Sequence, residues 1–215
     1  MGIIRQGILG GFRKKTGTVV GVFWRDLNVI RALPRASNKA ATQLQINQRL
    51  KFGLIMGFLS SFSDLIEMYY NHRSASKSPM NEAVSYHLKE AVIGEGPDFT
   101  IDYTKIKFGR GKLVLPAAMQ VGATATATVS FEWNHTVGDN RFRDATDMAN
   151  LLVYNPVKKQ FVTLMEAAPR SAESYSLQLP MEFSGDDIHC YMNFSSALKK
   201  GVASNSFYVG KMKVV

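Results

Sequence analysis

At Asp98 the hydrophobic period of the chain changes from helical to two, and it stays at two to the C-terminus. A chain patterned this way folds as helices followed by a run of strands, which makes it α+β. Candidate strands run over 99–108, 112–115, 123–133, 148–155, 160–167, 174–179, 187–194 and 206–214. Gly109-Arg110-Gly111, Val137-Gly138-Asp139-Asn140, Asn155-Pro156, Ser184-Gly185-Asp186 and Lys199-Lys200-Gly201 supply turns between them. Short alternating strands at this spacing predict an antiparallel β-sandwich over residues 98–215.

Trp133 closes an early strand and Tyr191 falls on the penultimate one, positions that suit an immunoglobulin-like or fibronectin type III-like sandwich without its disulfide. Before residue 98 the pattern is mixed. Residues 16–33, TGTVVGVFWRDLNVIRAL, are rich in Val, Ile and aromatics around a central Arg25-Asp26, and read as a β-hairpin. Pro34 and Ser37-Asn38 break it, and a helix is expected over 40–70, with Leu50, Leu54, Phe58, Phe62, Ile66 and Tyr69 as its stripe. Phe52, Ile55, Leu59 and Leu65 widen that face, and Gly53 and Gly57 leave room for a close neighbour. A second helix starts at Ser78 as N-cap with Pro79 in the first position, carries Met80, Val84, Leu88 and Ala91 on one side, and stops by Gly94. The expected organisation is a basic arm, hairpin and two helices over 1–97, then the sandwich over 98–215.

Charge is unevenly placed. Residues 1–55 hold ten Lys/Arg against one acid, Asp26, which accounts for the whole net charge of +9. The remainder is neutral. A field concentrated in this way suits a polyanion or an acidic partner surface, and a singly spaced set of charges also suits an ordinary solvated face. The opening residues do not read as a secretory signal, because Arg5, Gln6 and three glycines interrupt the apolar stretch. Phe52 to Phe62 is too short to cross a bilayer. No membrane partner is expected, and the location is expected to be the cytoplasm or a virion.

Catalytic chemistry has little to build on. Cys190 is the single cysteine, so no internal disulfide or cysteine-based zinc cluster can form. His72, His87, His135 and His189 are scattered without HxH or HExxH spacing. His189 and Cys190 are neighbours on one strand and so face opposite ways. Asp186-Asp187 with Glu182 reads as a solvated turn, and the glycines before Arg13 lack the Walker spacing. No catalytic residue, metal or cofactor is expected.

The stretch GILGGFRKKTGTVVGVFWRDLNVIRALP, the following QRLKFGLIMGFL, and the later ATDMANLLVYNP, LQLPMEFSGDDIHCYMNF and VASNSFYVGKM resemble the domain of unknown function 6266 family, uncharacterised proteins of Bacteroidota. The likeness spans nearly the whole chain. It departs at Arg13-Lys14-Lys15, where smaller polar residues are expected, and at Val22-Phe23 before Trp24. The resemblance implies the fold and a bacterial or phage setting, and it implies no activity.

Two functional expectations follow from the residues. In the first, the chain is a non-enzymatic structural protein that assembles with its own copies or with other subunits of a particle such as a phage virion. Ile8, Leu9, Phe12 and Trp24 would then make the assembly contacts. In the second, Arg13, Lys14, Lys15, Arg31 and Arg35 form a basic surface for nucleic acid, with aromatic residues interleaved for stacking.

Overall fold

A computed structural model describes residues 2–4, 10–24, 26–35, 39–70, 77–135 and 142–215. It is α+β, with antiparallel sheets and three α-helices. The chain divides into two compact units, Met1–Gln43 and Leu44–Val215. That division falls well before the change of hydrophobic period at Asp98.

The first unit is a 4-stranded sheet of β1 (Gly2–Ile4), β2 (Lys14–Thr16), β3 (Val19–Trp24) and β4 (Leu27–Ala32), in the order β1-β4-β3-β2. The expected hairpin is β3–β4, paired from Val19↔Ala32 to Trp24↔Leu27. Its turn ends on Asp26, at φ +62°, a left-handed position that Asp tolerates better than most residues. β1 and β2 are three residues each, too short for a period-two signal.

The second unit begins with α1 (Gln43–Ser60) and α2 (Ser63–Tyr69), where the sequence predicts one helix over 40–70. Ser60 turns its hydroxyl back to the Gly57 carbonyl, and Phe62 leaves helical geometry as the N-cap of α2. α3 (Pro79–Glu90) starts as expected, the Ser78 hydroxyl accepting from the Asn81 amide with Pro79 in the first turn. It ends at Ala91, and Val92–Ile93 (β5) pairs with Thr100–Ile101 (β6). The strand expected over 99–108 is reduced to β6. Asp102 accepts from the Thr104 amide and hydroxyl and closes a 3-10 turn over Tyr103–Lys105.

The strand expected over 123–133 is two strands, β7 (Ala117–Ala125) and β8 (Thr128–Asn134), joined through Ala127 at φ +51°. β9 (Met148–Asn155), β10 (Gln160–Pro169), β11 (Ser174–Gln178), β12 (Asp187–Ser195) and β13 (Phe207–Lys213) lie close to their predicted places. No strand forms over 112–115, where Leu113 makes an isolated bridge to Ser204. The sheets run β10-β9-β12-β13 and β11-β8-β7.

β9 and β12 are buried along nearly their whole length, because each is covered on both faces. Leu152, Tyr154 and Tyr191 pack with Phe58, Phe62, Ile66 and Tyr70 of the helical stretch. Leu151, Val153, Cys190, Met192 and Phe194 pack with Val129, Phe131 and Trp133 of β8 and Leu177 of β11. The helices therefore share a core with β9 and β12 and belong to the same unit as the strands that follow them. A strand covered on both faces loses the polar half of its alternation, which explains the apolar runs LLVY and CYMNF.

α1 is less buried than its sequence pattern predicts. Ile55, Phe58 and Leu59 are core, but Leu50 and Phe52 are exposed, as are Leu44 and Ile46 in the first turns. Side chains added at Gly53 and Gly57 would meet no atom within 4 Å, so neither glycine serves a close approach among the described residues.

Candidate functional site

The residues of the first unit have almost no interior. Val29, 8% exposed, is the one buried hydrophobic side chain among its described residues, while Ile3 (54%), Trp24 (45%) and Leu27 (40%) remain open. A core of this size cannot hold a sheet of short strands in water, where a hydrophobic face must be covered.

The two faces of this sheet differ. Residues directly opposite in an antiparallel pair share a face, and successive residues alternate. Lys14, Gly21, Ile30 and Gly2 therefore share a face with Phe23 and Asn28. The segment before β2 lies over this side. A Cβ on Gly21 would run into the Phe12 carbonyl, so that position needs glycine, and one on Gly11 would displace the Asn28 side-chain amide. Arg13 sets its guanidinium 5.2 Å from the centre of the Phe23 ring, and with Lys14, Val20, Gly21 and Val22 these residues line a shallow hollow. Lys14 enters β2 at φ +74°, in the left-handed region.

The other face is an apolar field. Trp24 and Leu27 form one row, Val22, Val29 and Ile3 the next, and Lys15, Val20 and Arg31 the third. The sequence-derived residues are thus divided. Phe12 is half-buried over Gly21, Trp24 is on the opposite face, and Ile8 and Leu9 lie outside the described residues. The basic residues do not form one surface: Lys14 belongs to one face with Arg13 beside it, Lys15 and Arg31 belong to the other, and Arg35 is exposed beyond β4. Phe23 and Trp24 face opposite ways, as strand alternation requires. The sequence reading missed Ile3, Val22 and Leu27 as parts of the apolar face, because only the pairing of β1 with β4 brings Ile3 beside Val29.

Elsewhere the buried histidine and cysteine and the acidic turn are committed to structure. His87 is fully buried in α3, with Nδ1 donating to the Ala83 carbonyl and Nε2 accepting from the Lys107 amide, and burial lowers its pKa to about 4. Those bonds fix one neutral tautomer. Cys190 sits in the core shared with β8, where burial pushes its thiol up to about 12, so it is no nucleophile. His189 faces the other way, 3.0 Å from the Tyr208 hydroxyl. Asp186 accepts from Lys158 and Asn155, while Asp187 pairs with Lys211, so the acidic turn is neutralised from within. The Lys158 ammonium also donates to the Glu182 carbonyl.

The most deeply buried charges are Arg170 and Asp147, each 1% exposed and 3.3 Å apart. Arg170 donates to the Val114 carbonyl at 2.7 Å and lies 4.7 Å over the Phe194 ring, while its carbonyl accepts from the Trp133 indole. Burial pushes the Asp147 carboxyl up, against the pull of the Asp144 amide and of Arg170. This knot ties together the segments that carry Val114, Trp133, Asp147, Arg170 and Phe194. Among the described residues no group of three His, Cys, Asp or Glu side chains is placed to hold a metal ion. Among the described residues no helix is long and apolar enough to cross a membrane.

No curated protein matches the chain. Among solved structures it is similar to the crystal structure of chicken CNTN1 FN1-FN3 domains, at 12% identity and a TM-score of 0.30, covering 46% of this chain and 31% of that one. The chain thus spans under a third of that neighbour, and a likeness so slight carries no argument. The family described as "Family of unknown function (DUF6266)" matches residues 11–210, a span that takes in β2 to β4, all three helices and most of β13. The chain belongs to the family of unknown function DUF6266.

Proposed function

We propose that the chain is a non-enzymatic structural protein that docks into a larger assembly through its N-terminal unit. The observation that carries this reading is the interior of Met1–Gln43: among its described residues one buried hydrophobic side chain, Val29, under a sheet whose Ile3, Trp24 and Leu27 stay exposed. Such a unit is completed by a surface brought from outside. The second unit would act as the anchored body. Its sheets β10-β9-β12-β13 and β11-β8-β7 contribute to one core, which supports an immunoglobulin-like or fibronectin type III-like sandwich.

Native-state trypsin digestion of the dilute full chain tests the docking reading, since the arginines and lysines of residues 13–35 supply cutting sites throughout the unit. Cleavage within 10–35 while the Leu44–Val215 unit stays intact is the expected result. A first unit as resistant as the second would overturn the reading.

A second reading has one observation in its favour. Arg13 over Phe23, with Lys14 beside it, supports a phosphate-and-base contact on the face opposite Trp24. Binding of single-stranded DNA that weakens steeply with salt and is lost in R13E/K14E would favour it. Unchanged binding in that variant would sink it.

A further inference from the structure

We infer that the open face of the N-terminal sheet receives an acidic protein segment that carries apolar side chains, and that it does not receive the same basic unit of a second copy. The inference rests on the docking reading above and names the chemistry of the partner. Three rows define the face: Trp24 with Leu27, then Val22, Val29 and Ile3, then Lys15, Val20 and Arg31. The first two rows are entirely apolar. The third puts a cation at each side of Val20. Rows on one face are two residues apart, so the cations lie about 14 Å from the Trp24 row at roughly 3.4 Å per residue. A matching segment presents apolar side chains at one end and carboxylates about 14 Å away.

Charge decides against a second copy. No acid occurs between Asp26 and Asp64, while Arg31, Arg35, Lys39, Arg49 and Lys51 all fall in that interval. A copy of this unit would bring eight Lys/Arg and a single carboxylate, Asp26, towards the Lys15 and Arg31 row, and like charges within a Debye length oppose such a contact. Nucleic acid fits this face poorly as well. Phosphate binding needs cations along a track, and here Lys14 belongs to the opposite face while two apolar rows occupy most of the surface. An acidic and apolar protein segment satisfies both parts of the face at once.

Tryptophan fluorescence of the full chain reads the binding directly. Trp133 is 1% exposed in the core, so a blue shift on adding a partner reports Trp24. The probe is a synthetic amphipathic peptide of leucine and glutamate, compared with the same peptide carrying lysine for glutamate. The leucine–glutamate peptide is expected to shift the emission, with at least about tenfold weaker binding in K15E/R31E, as charge pairs at interfaces require. The leucine–lysine peptide is expected to leave the emission unchanged. Equal binding of both peptides, or none of either, overturns the inference. So does a concentration-dependent shift of the protein alone with dimers in sedimentation, which would give the face to a second copy. Duplex DNA that shifts Trp24 and loses its effect in K15E/R31E would give it to nucleic acid. A trypsin-labile first unit with no response to the leucine–glutamate peptide removes this inference and leaves the docking reading standing. A trypsin-resistant first unit removes the docking reading itself.

Discussion

The Met1–Gln43 unit and the Leu44–Val215 unit are built from similar material and finished to different degrees. Both contain antiparallel strands rich in Val and aromatics. In the second unit β9 and β12 are covered on both faces, and even a charged pair, Arg170 with Asp147, is drawn into the interior. In the first unit a strand of the same composition, VVGVFW, keeps its final two aromatics about half in solvent. A hydrophobic strand thus becomes core only where a second layer is present to cover it. The second unit supplies its layers from within itself, whereas the described residues of the first form one layer.

The contrast can be broken or sharpened by substitution. Asp147→Ala leaves the Arg170 guanidinium buried without its carboxylate, and about 3–5 kcal/mol of stability should be lost from the second unit, read by chemical denaturation. Amide exchange in β3 and β4 should not change. Loss of both units together would show that they unfold as one.

Acid gives the next largest effect. His87 is held neutral with a folded pKa of about 4, below the 6.5 of the unfolded chain. Its contribution is complete above pH 6.5 and is lost as pH falls from 6.5 to about 4, amounting to about 3 kcal/mol at about 1.4 kcal/mol per pH unit. Denaturation midpoints measured between pH 7 and 4 check this. His87→Gln should flatten the dependence, and an unchanged slope would remove His87 as its source.

Gly53→Ala and Gly57→Ala should each stabilise the second unit by up to about 1 kcal/mol, since the added methyl meets nothing and the helix gains propensity. A loss of stability would mean that α1 is packed at those glycines in solution. The smallest effect is expected at Trp24→Ser. Removing this side chain from the first sheet should change the stability of the second unit by less than about 0.5 kcal/mol while weakening the leucine–glutamate peptide. A large stability loss would mean that Trp24 is core.

Much of the second unit was legible in the sequence. β9 and β12 were bounded by Asn155-Pro156 and by Ser184-Gly185-Asp186, and α3 carried its own start signal in Ser78-Pro79. What escaped was decided by local side-chain bonding or by pairing between distant residues. Asp102 bonding Thr104 replaced a strand with a 3-10 turn, and Ala127 in a left-handed conformation split one expected strand into β7 and β8. Alanine is no turn signal, and Asp102, a residue type that does favour turns, stands alone within an otherwise alternating stretch. At the candidate site, Trp24 and the separation of Phe23 from Trp24 followed from alternation. The apolar field did not, because Ile3 meets Val29 only through the antiparallel docking of β1 on β4. The division of the basic residues between two faces also depended on the register of β2, three residues long.

On the docking proposal the first unit lacks a covering layer of its own while the second is complete. Hydrogen exchange of the dilute full chain, followed by mass spectrometry, tests it most directly. The account predicts that amides of Val19–Trp24 and Leu27–Ala32 exchange orders of magnitude faster than those of Met148–Asn155 and Asp187–Ser195. Equal protection of the two sets in the monomer would contradict it.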